Sequence, residues 1–347
     1  MSLINTRLTN FRAESPADKW EVRASQYGGF DLFRTQTVSP SGIITPDLEA
    51  KALAAVGTPL QIPVLDNETF TITNVTQPVT VTGTPNTSQV YAVTFVNYYF
   101  GFRMFPAQHY NNEISLQREF GRKLNGYTYA LLAALDAAAI AVLEANKTQV
   151  LTDDLGGRYS LVSDVVVGAL AEQDAIIGDL NPIFSGNDFF GPIAVVANPS
   201  LESHVRNRLI EQGGFNDRDK TYQYSDKSFH FSNGISNAVG HKATGFAVQA
   251  DSCGLLQQFS RDAILGHATS QHVWDVETLP IANIPIGVYQ YDDAIDANAI
   301  SGAATADMTA SKMEAYGFHT AVAFVAPYNS DLTTIESSIM KFAIATT

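Results

Sequence analysis

One run of residues constrains this chain more than any other. Leu116, Phe120, Leu124, Tyr127, Leu131, Leu135, Ala138 and Val142 recur at steps of four, four, three, four, four, three and four. Only a helix returns to one face at that spacing. Asn112 is placed to cap it, Glu113 suits its positive end, and the pattern persists to Asn146. The spacing predicts a helix of roughly 33 residues, or about 50 Å at about 1.5 Å per residue. Gly121 and Gly126 weaken it by up to about 1 kcal/mol each relative to Ala. Sustained heptads and charged flanks, the marks of a coiled coil, are missing. The most apolar part, Tyr129 to Leu143, holds Asp136. A membrane span needs about 20 residues without a central charge. The reading is therefore a buried helix, with no membrane as partner.

The segment before this helix differs in kind. No Lys or Arg occurs between Ala52 and Phe102, and nine Thr fall between Thr58 and Thr87. Phe70-Thr-Ile-Thr, Val79-Thr-Val-Thr and Val90-Tyr-Ala-Val-Thr-Phe-Val alternate apolar and polar groups with the period of a strand. Gly83-Thr84-Pro85-Asn86 supplies a turn. The reading is a long β-hairpin of at least two strands over residues 58–105. Its apolar side chains are too sparse for a core, and a lone hairpin is marginal in water, so it needs a surface to lie on.

Residues 1–57 read as an extended arm followed by a short helix, Asp47 to Val56, with Asp47 as cap and Gly57 past its end. Within residues 1–34 stand five basic residues (Arg7, Arg12, Lys19, Arg23, Arg34) and four acidic ones. A second short helix is expected near Pro16–Arg23. Met1–Phe11 carries no apolar signal core, so export by that route is not expected. Beyond the long helix, Asp164 is expected to cap a helix running to Asp179. Gly191–Ala197 reads as a buried strand, and Asn198-Pro199 opens a helix from Ser200 to Gln212, stopped by Gly213-Gly214. Asn216 to Lys227 reads as a loop. Strands are expected at Phe229–Phe231, Gly245–Gln249, Val273–Thr278, Ile286–Tyr291 and His319–Ala326, with an acidic loop between the last two. The fold class is α+β.

Charged residues make up 16% of the 347, below the roughly 25% usual in soluble domains. Much of the surface must then be neutral and polar, or covered by partners. The net charge of −14 argues against a generic nucleic-acid binder. The single cysteine, Cys253, excludes a disulfide framework within one chain and any multi-cysteine zinc site.

The chain contains no phosphate-binding loop, dinucleotide fingerprint, nucleophile elbow or zincin motif. Cys253 reads as an inert, partly buried thiol rather than a nucleophile, which would need a base beside it. His267, His272 and Asp275 could suggest metal ligands, but the five-residue spacing of the histidines fits neither a helix face nor a strand face. Asp292, Asp293, Asp296 and Asn298 lack the glycine and terminal glutamate of a calcium loop. Asp217-Arg218-Asp219-Lys220 is a balanced charge cluster suited to a surface. No catalytic residue, cofactor site or metal site is expected.

In order, the elements are an arm, a charge-poor hairpin, one very long helix, a mixed α/β region and returning strands. With Val93-Thr-Phe-Val-Asn-Tyr-Tyr-Phe-Gly101 leading to Pro106 and Asn112, Ala194-Val-Val-Ala-Asn-Pro-Ser200, and Phe231-Ser-Asn-Gly234, the chain resembles the major capsid proteins of tailed bacteriophages, which have the Hong Kong 97-type capsid fold. The resemblance implies an extended loop at 58–105, a peripheral domain with its spine helix at 106–160, an axial domain at 161–280 and return strands at 281–347 completing the peripheral domain. It implies a self-assembling shell subunit, forming hexamers and pentamers around a double-stranded DNA genome in the virion and assembled in the host cytoplasm. Scaffolding and portal proteins are implied partners, with DNA touched only weakly and without sequence preference. Phe70, Ile72, Val75, Val79 and Val81 of the loop, and Arg7, Arg12, Arg23 and Arg34 of the arm, are then candidate subunit contacts. Lys51 and Lys123 bracket a stretch without lysine, so the loop has no nucleophile for the lysine–asparagine cross-link that some members form. Residues 1–34 are short for a cleaved scaffold segment, which suggests a separate scaffolding protein. Encapsulin shells share the fold and are the runner-up. A soluble α+β enzyme is the alternative from another class.

Overall fold

The computed structural model describes residues 3–14, 26–36, 43–54, 60–65, 88–106, 115–147, 151, 154–187, 189–211, 222–224, 227–258, 272–279, 284–294, 312–327 and 337–347. In place of an extended arm it has two helices, α1 (Leu3–Glu14) and α2 (Gly28–Thr35). Periodicity could not reveal α1: among its described side chains the buried ones are Leu8 and Phe11, one turn apart, which set no period. The helix expected near Pro16–Arg23 lies outside the described residues. Helix α3 (Pro46–Ala54) starts one residue earlier than expected. Thr45 caps it through its hydroxyl to the Leu48 N–H at 3.4 Å, and Pro46 occupies the first position, where no N–H is needed.

Strands β1 (Leu60–Leu65) and β2 (Ser88–Val93) form the antiparallel base of the hairpin, in register from Leu60 opposite Val93 to Leu65 opposite Ser88. The strands expected at Phe70 and Val79 lie outside the described residues. After Thr94 and Phe95 the chain enters β3 (Val96–Met104), which leaves the hairpin.

The long helix, α4, runs Leu116–Ala145. Ser115 caps it, accepting from the Arg118 N–H at 3.2 Å; Asn112, the expected cap, lies outside the described residues. Its buried line is Phe120, Leu124, Thr128, Leu131, Leu135, Ala139 and Leu143. That line is displaced by one residue from the expected stripe at Tyr127, Ala138 and Val142. Tyr127 instead lays its ring on Phe100 and Phe102, with centroids 5.6 and 5.9 Å away. Thr128 can occupy the core because its hydroxyl donates to the Leu124 carbonyl at 2.8 Å. By length and composition α4 could cross a membrane, but its apolar side packs on both sheets of this fold.

The helix expected from Asp164 is a correction. Strands β4 (Tyr159–Val162) and β5 (Val165–Gly168) occupy its start, joined at Ser163 and Asp164 with φ of 50° and 62°. Positive φ at both central residues is the geometry of a two-residue hairpin turn, and the β-branched Val165-Val-Val that follows favours a strand. The helix itself, α5, is confined to Ile176–Gly186. Then come β6 (Ile193–Ala197), α6 (Pro199–Glu211), β7 (Tyr222–Tyr224), β8 (Lys227–Phe231) and β9 (His241–Gln249). The last elements are β10 (Gly254–Gln258), β11 (His272–Leu279), β12 (Ile284–Ala294), β13 (Lys312–Val325) and β14 (Ile339–Ala345).

Two sheets organise these strands. The large sheet has seven, in the order β4-β5-β14-β9-β6-β8-β7. The small sheet has the order β10-β13-β12-β11, with β3 also on β13. Sheet membership cuts across the sequence intervals. β10 and β11, inside 161–280, belong to the small sheet; β14, inside 281–347, lies in the large sheet between β5 and β9; β3, inside 58–105, also joins the small sheet. Such long-range pairing leaves no local trace in a sequence.

Alternate side chains of the large sheet enter two cores. Val195, Ala197, Phe229 and Phe342 face α5 and α6, while Ala194, Val196, Phe246 and Val248 face α2 and α4. Burial on both faces explains the unbroken apolar run of β6. The small sheet packs one face, with Phe102, Tyr316 and Phe318, on α1 and α4.

Candidate functional site

The expected contact residues fall into two groups. Phe70, Ile72, Val75, Val79, Val81, Arg23 and the Arg12 side chain lie outside the described residues. Arg7 and Arg34 are described, and both are engaged within their own chain. The Arg7 guanidinium is only 11% exposed. It donates to Glu314 Oε2 at 2.7 Å and to the Tyr316 hydroxyl at 2.6 Å, while that hydroxyl donates to Glu314 at 2.6 Å. Burial and the Glu314 bond both push the Tyr316 phenol far above its ordinary value. Arg7, expected as a subunit contact, thus fastens α1 to β13 within its own chain. Arg34 pairs with Asp31 one turn back at 2.7 Å, and the other Asp31 oxygen lies 3.0 Å from His230 Nδ1 on β8. Burial pushes the Asp31 carboxyl up, but His230 and Arg34 together hold it below its ordinary value.

Sequence reasoning missed the polar centre of the molecule. Asp136 sits midway along α4 and is 3% exposed. Its Oδ1 accepts from the Gly29 and Phe30 N–H groups at 2.8 and 3.1 Å, at the start of α2. Its Oδ2 contacts the Ser232 hydroxyl at 2.5 Å, and Ser232 Oγ accepts from the Gly234 N–H at 2.9 Å. Burial pushes its carboxyl above the ordinary value, against the pull of these three donors. One signal was legible: a lone carboxylate in the most apolar stretch of the chain must have buried partners.

Several large apolar side chains face outward: Val96 and Tyr99 on β3, Leu161 and Val162 at the β4–β5 turn, Phe190 before β6, and Val239 between β8 and β9. Tyr99 is 61% exposed and Phe190 68%. An apolar cavity of about 350 Å³ opens at the hairpin base, lined among others by Ile43, Ile62, Val93, Tyr98, Val142 and Phe324, with no charged side chain in its wall. Surfaces of this kind suit protein contact more than chemistry.

The residues weighed for chemistry do not converge. Cys253 is buried, and burial pushes its thiol up to about 12, so it is held as a neutral thiol. Asp275 Oδ1 accepts from the Val276 N–H at 2.8 Å. His267, Asp296, Asn298, the Asp217–Lys220 cluster and the side chains of His272, Asp292 and Asp293 lie outside the described residues. The backbones of Asp292 and Asp293 belong to β12, not to a loop. Among the described residues no group of three or more His, Cys, Asp or Glu is arranged to hold a metal ion.

No family model matches the sequence, and no curated protein does. Solved structures do. The Cyanophage Pam1 capsid asymmetric unit matches with a TM-score of 0.53 at 12% identity, over 92% of this chain and 93% of that one. A structure from Mycobacterium phage Che8 matches at 0.48 and 13% identity, over 89% and 92%. The capsid of Ralstonia phage GP4 matches at 0.42 and 9% identity, over 83% and 84%. The Pam1 likeness covers nearly the whole of both chains, so the α+β fold of this chain is that of a phage capsid protein.

Proposed function

We propose that the protein is a structural subunit that self-assembles into the icosahedral head shell of a tailed phage, as part of the virion and without catalysis of its own. The observation that carries this reading is the correspondence with the Cyanophage Pam1 capsid chain over 92% of this chain and 93% of that one. Composition supports it. A surface with few charges suits a protein largely covered by copies of itself, and a net charge of −14 suits an inner wall that holds DNA only weakly. In this reading the copies form hexamers and pentamers, scaffolding and portal proteins take part, and assembly proceeds in the host cytoplasm. The hairpin is the extended loop, the small sheet with α4 makes the peripheral part of the subunit, and the large sheet makes the axial part.

The segment between the paired Leu65 and Ser88 carries Phe70, Ile72, Val75, Val79 and Val81, and we place it against a neighbouring subunit. Each fully buried Val, Ile or Phe contributes about 1.5–3 kcal/mol, and here a neighbour supplies the covering surface. Electron microscopy of the purified chain, with its scaffold where one is needed, tests the reading. Closed shells of many copies support it, and strictly monomeric protein under all such conditions sinks it. Replacing residues 66–87 by a short Gly-Ser turn abolishes closed shells and leaves the thermal midpoint of the lone subunit within a few degrees of the parent. A trimmed chain that still forms normal shells removes the hairpin from the interface.

A further inference from the structure

We propose that Asp136, α2 and Ser232 form a clasp that fixes the angle between the two sheets of the subunit. Asp136 lies on α4, whose other side packs the small sheet, whereas Ser232 immediately follows β8 of the large sheet. Helix α2 lies between them and is held at two points. Asp136 receives its first N–H groups, and His230 of β8 meets its Asp31. One carboxylate therefore bonds the small-sheet side, the intervening helix and the large-sheet side at once.

The approach is built into the backbone. A Cβ at Gly29 would stand 2.9 Å from Asp136 Oδ1, and one at Gly234 would stand 2.9 Å from Oδ2. A Cβ at Gly28 would stand 2.5 Å from the Phe231 backbone. Any side chain at these three places would lift α2 or the Ser232 turn off the carboxylate.

The surroundings are apolar: Leu32, Phe33, Ala139 and Phe246 belong to the same core. A buried charge in such a place adds little net stability, because its desolvation offsets the bonds it makes. What it adds is direction, since α2 and Ser232 must be placed together for all three donors to reach it. Apolar packing alone tolerates sliding at small cost. The titratable and charged groups beside the clasp are Asp31 and Arg34 on α2 and His230 on β8; they are paired with one another, so Asp136 depends on its three neutral donors.

The test measures the angle rather than stability. Spin labels on Thr278→Cys of β11 and Ser200→Cys of α6, both exposed positions, report the distance between the sheets in the full chain. Cys253 is buried and does not compete for label. The parent gives one narrow distance distribution. Asp136→Ala at least doubles its width, and Ser232→Ala broadens it less. Asp136→Asn restores the parental width, because the amide still accepts from the two N–H groups and donates to Ser232 Oγ. If Asp136→Ala fails to fold, Gly234→Ala opens the same contact from the other side and broadens the distribution likewise. A folded Asp136→Ala or Gly234→Ala chain with the parental width overturns the proposal. So does an Asp136→Asn chain as broad as the Ala variant.

Discussion

Helices cover both faces of the large sheet, α5 and α6 on one side and α2 and α4 on the other. The small sheet is packed by α1 and α4 on one face; α3 and β1 cover its other face along β10 and the end of β13, at Leu256, Ala323 and Val325, and beyond them that face carries Tyr99, 61% exposed and stacked on Tyr289 at 6.1 Å. The two sheets are also held differently. Aliphatic side chains such as Val195, Val196 and Val248 fill both sides of the large one together with Phe229, Phe246 and Phe342. The packed face of the small one is a cluster of aromatic rings, Phe100, Phe102, Phe120, Tyr127, Tyr316 and Phe318, fastened at its border by the Arg7–Glu314–Tyr316 network. An enclosed sheet completes its core within one chain. A sheet whose second face is partly covered leaves side chains such as Tyr99 open to another molecule, an asymmetry that suits the proposed assembly.

The comparison breaks first at the cores. Phe246, on the large sheet, and Phe318, on the packed face of the small one, are each about fully buried. Truncating either to Ala removes an aromatic ring from a filled site, and each variant loses about 3–5 kcal/mol of unfolding free energy. Denaturant titration of the lone subunit measures both. A loss below about 1 kcal/mol at Phe318 would show that the small sheet has no true core of its own.

The next effect belongs to the small sheet alone. Arg7→Met deletes a charge that Glu314 and Tyr316 both use, and leaves Glu314, 13% exposed, with one partner fewer. Charge-assisted bonds of this kind contribute about 1.5–3 kcal/mol, so the variant loses that much stability and α1 loosens from α4. Hydrogen exchange should quicken in α1 and hardly change in β6. Equal changes in both would mean that Arg7 supports the whole fold and not one border.

Legibility followed the same contrast. The enclosed β6 could be read from its apolar run, and most of α4 from its period, because burial leaves a repeating local mark. Helices α1 and α2 left almost none: Leu8 with Phe11, and Phe30 with Leu32 and Phe33, are too few to set a period. The stretch after Asp164 was misread because a Val run bounded by polar residues suits a strand as well as a helix, and only the positive φ pair at Ser163 and Asp164 decides. Sheet membership was hidden, since β14 meets β5 and β9 across intervals that no local pattern spans. Of the contact candidates, the intrachain pairing of Arg7 was not legible because its acidic partner Glu314 stands at the far end of the chain.

Acid separates the two carboxylates around α2. Asp31 is held below its ordinary 3.8, so its contribution is complete above that pH and is lost as pH falls through the folded value. Asp136 is raised above 3.8: the folded chain binds that proton more tightly than the unfolded one, so stability falls as pH rises from 3.8 to the folded value. Asp31→Asn therefore flattens the acid loss of stability, whereas Asp136→Asn steepens it. For Asp31, whose side chain is 31% exposed, the change is about 1 kcal/mol or less. Thermal midpoints across the acid range decide; slopes that move in the same direction contradict the assignment.

The smallest effect on the subunit lies on the open face of the small sheet. Tyr99 touches Tyr289 through stacked rings and hydroxyls, but with 61% of its surface in solvent it removes little apolar area from water. Tyr99→Ala should change the unfolding free energy of the lone chain by about 0.5 kcal/mol or less, as surface substitutions do. In assembled material the same substitution meets a different reference state. If a neighbouring copy covers this face, truncation removes an aromatic ring from an interface, where such anchors dominate affinity. The ratio of the two effects is the informative quantity. Shells of the variant that dissociate at lower denaturant than parental shells, from a subunit of unchanged stability, place Tyr99 at a contact between copies. Unchanged shells leave the open face to solvent, and the apolar surface of the assembly must then lie at Leu161, Val162, Phe190 and Val239, at the margins of the large sheet.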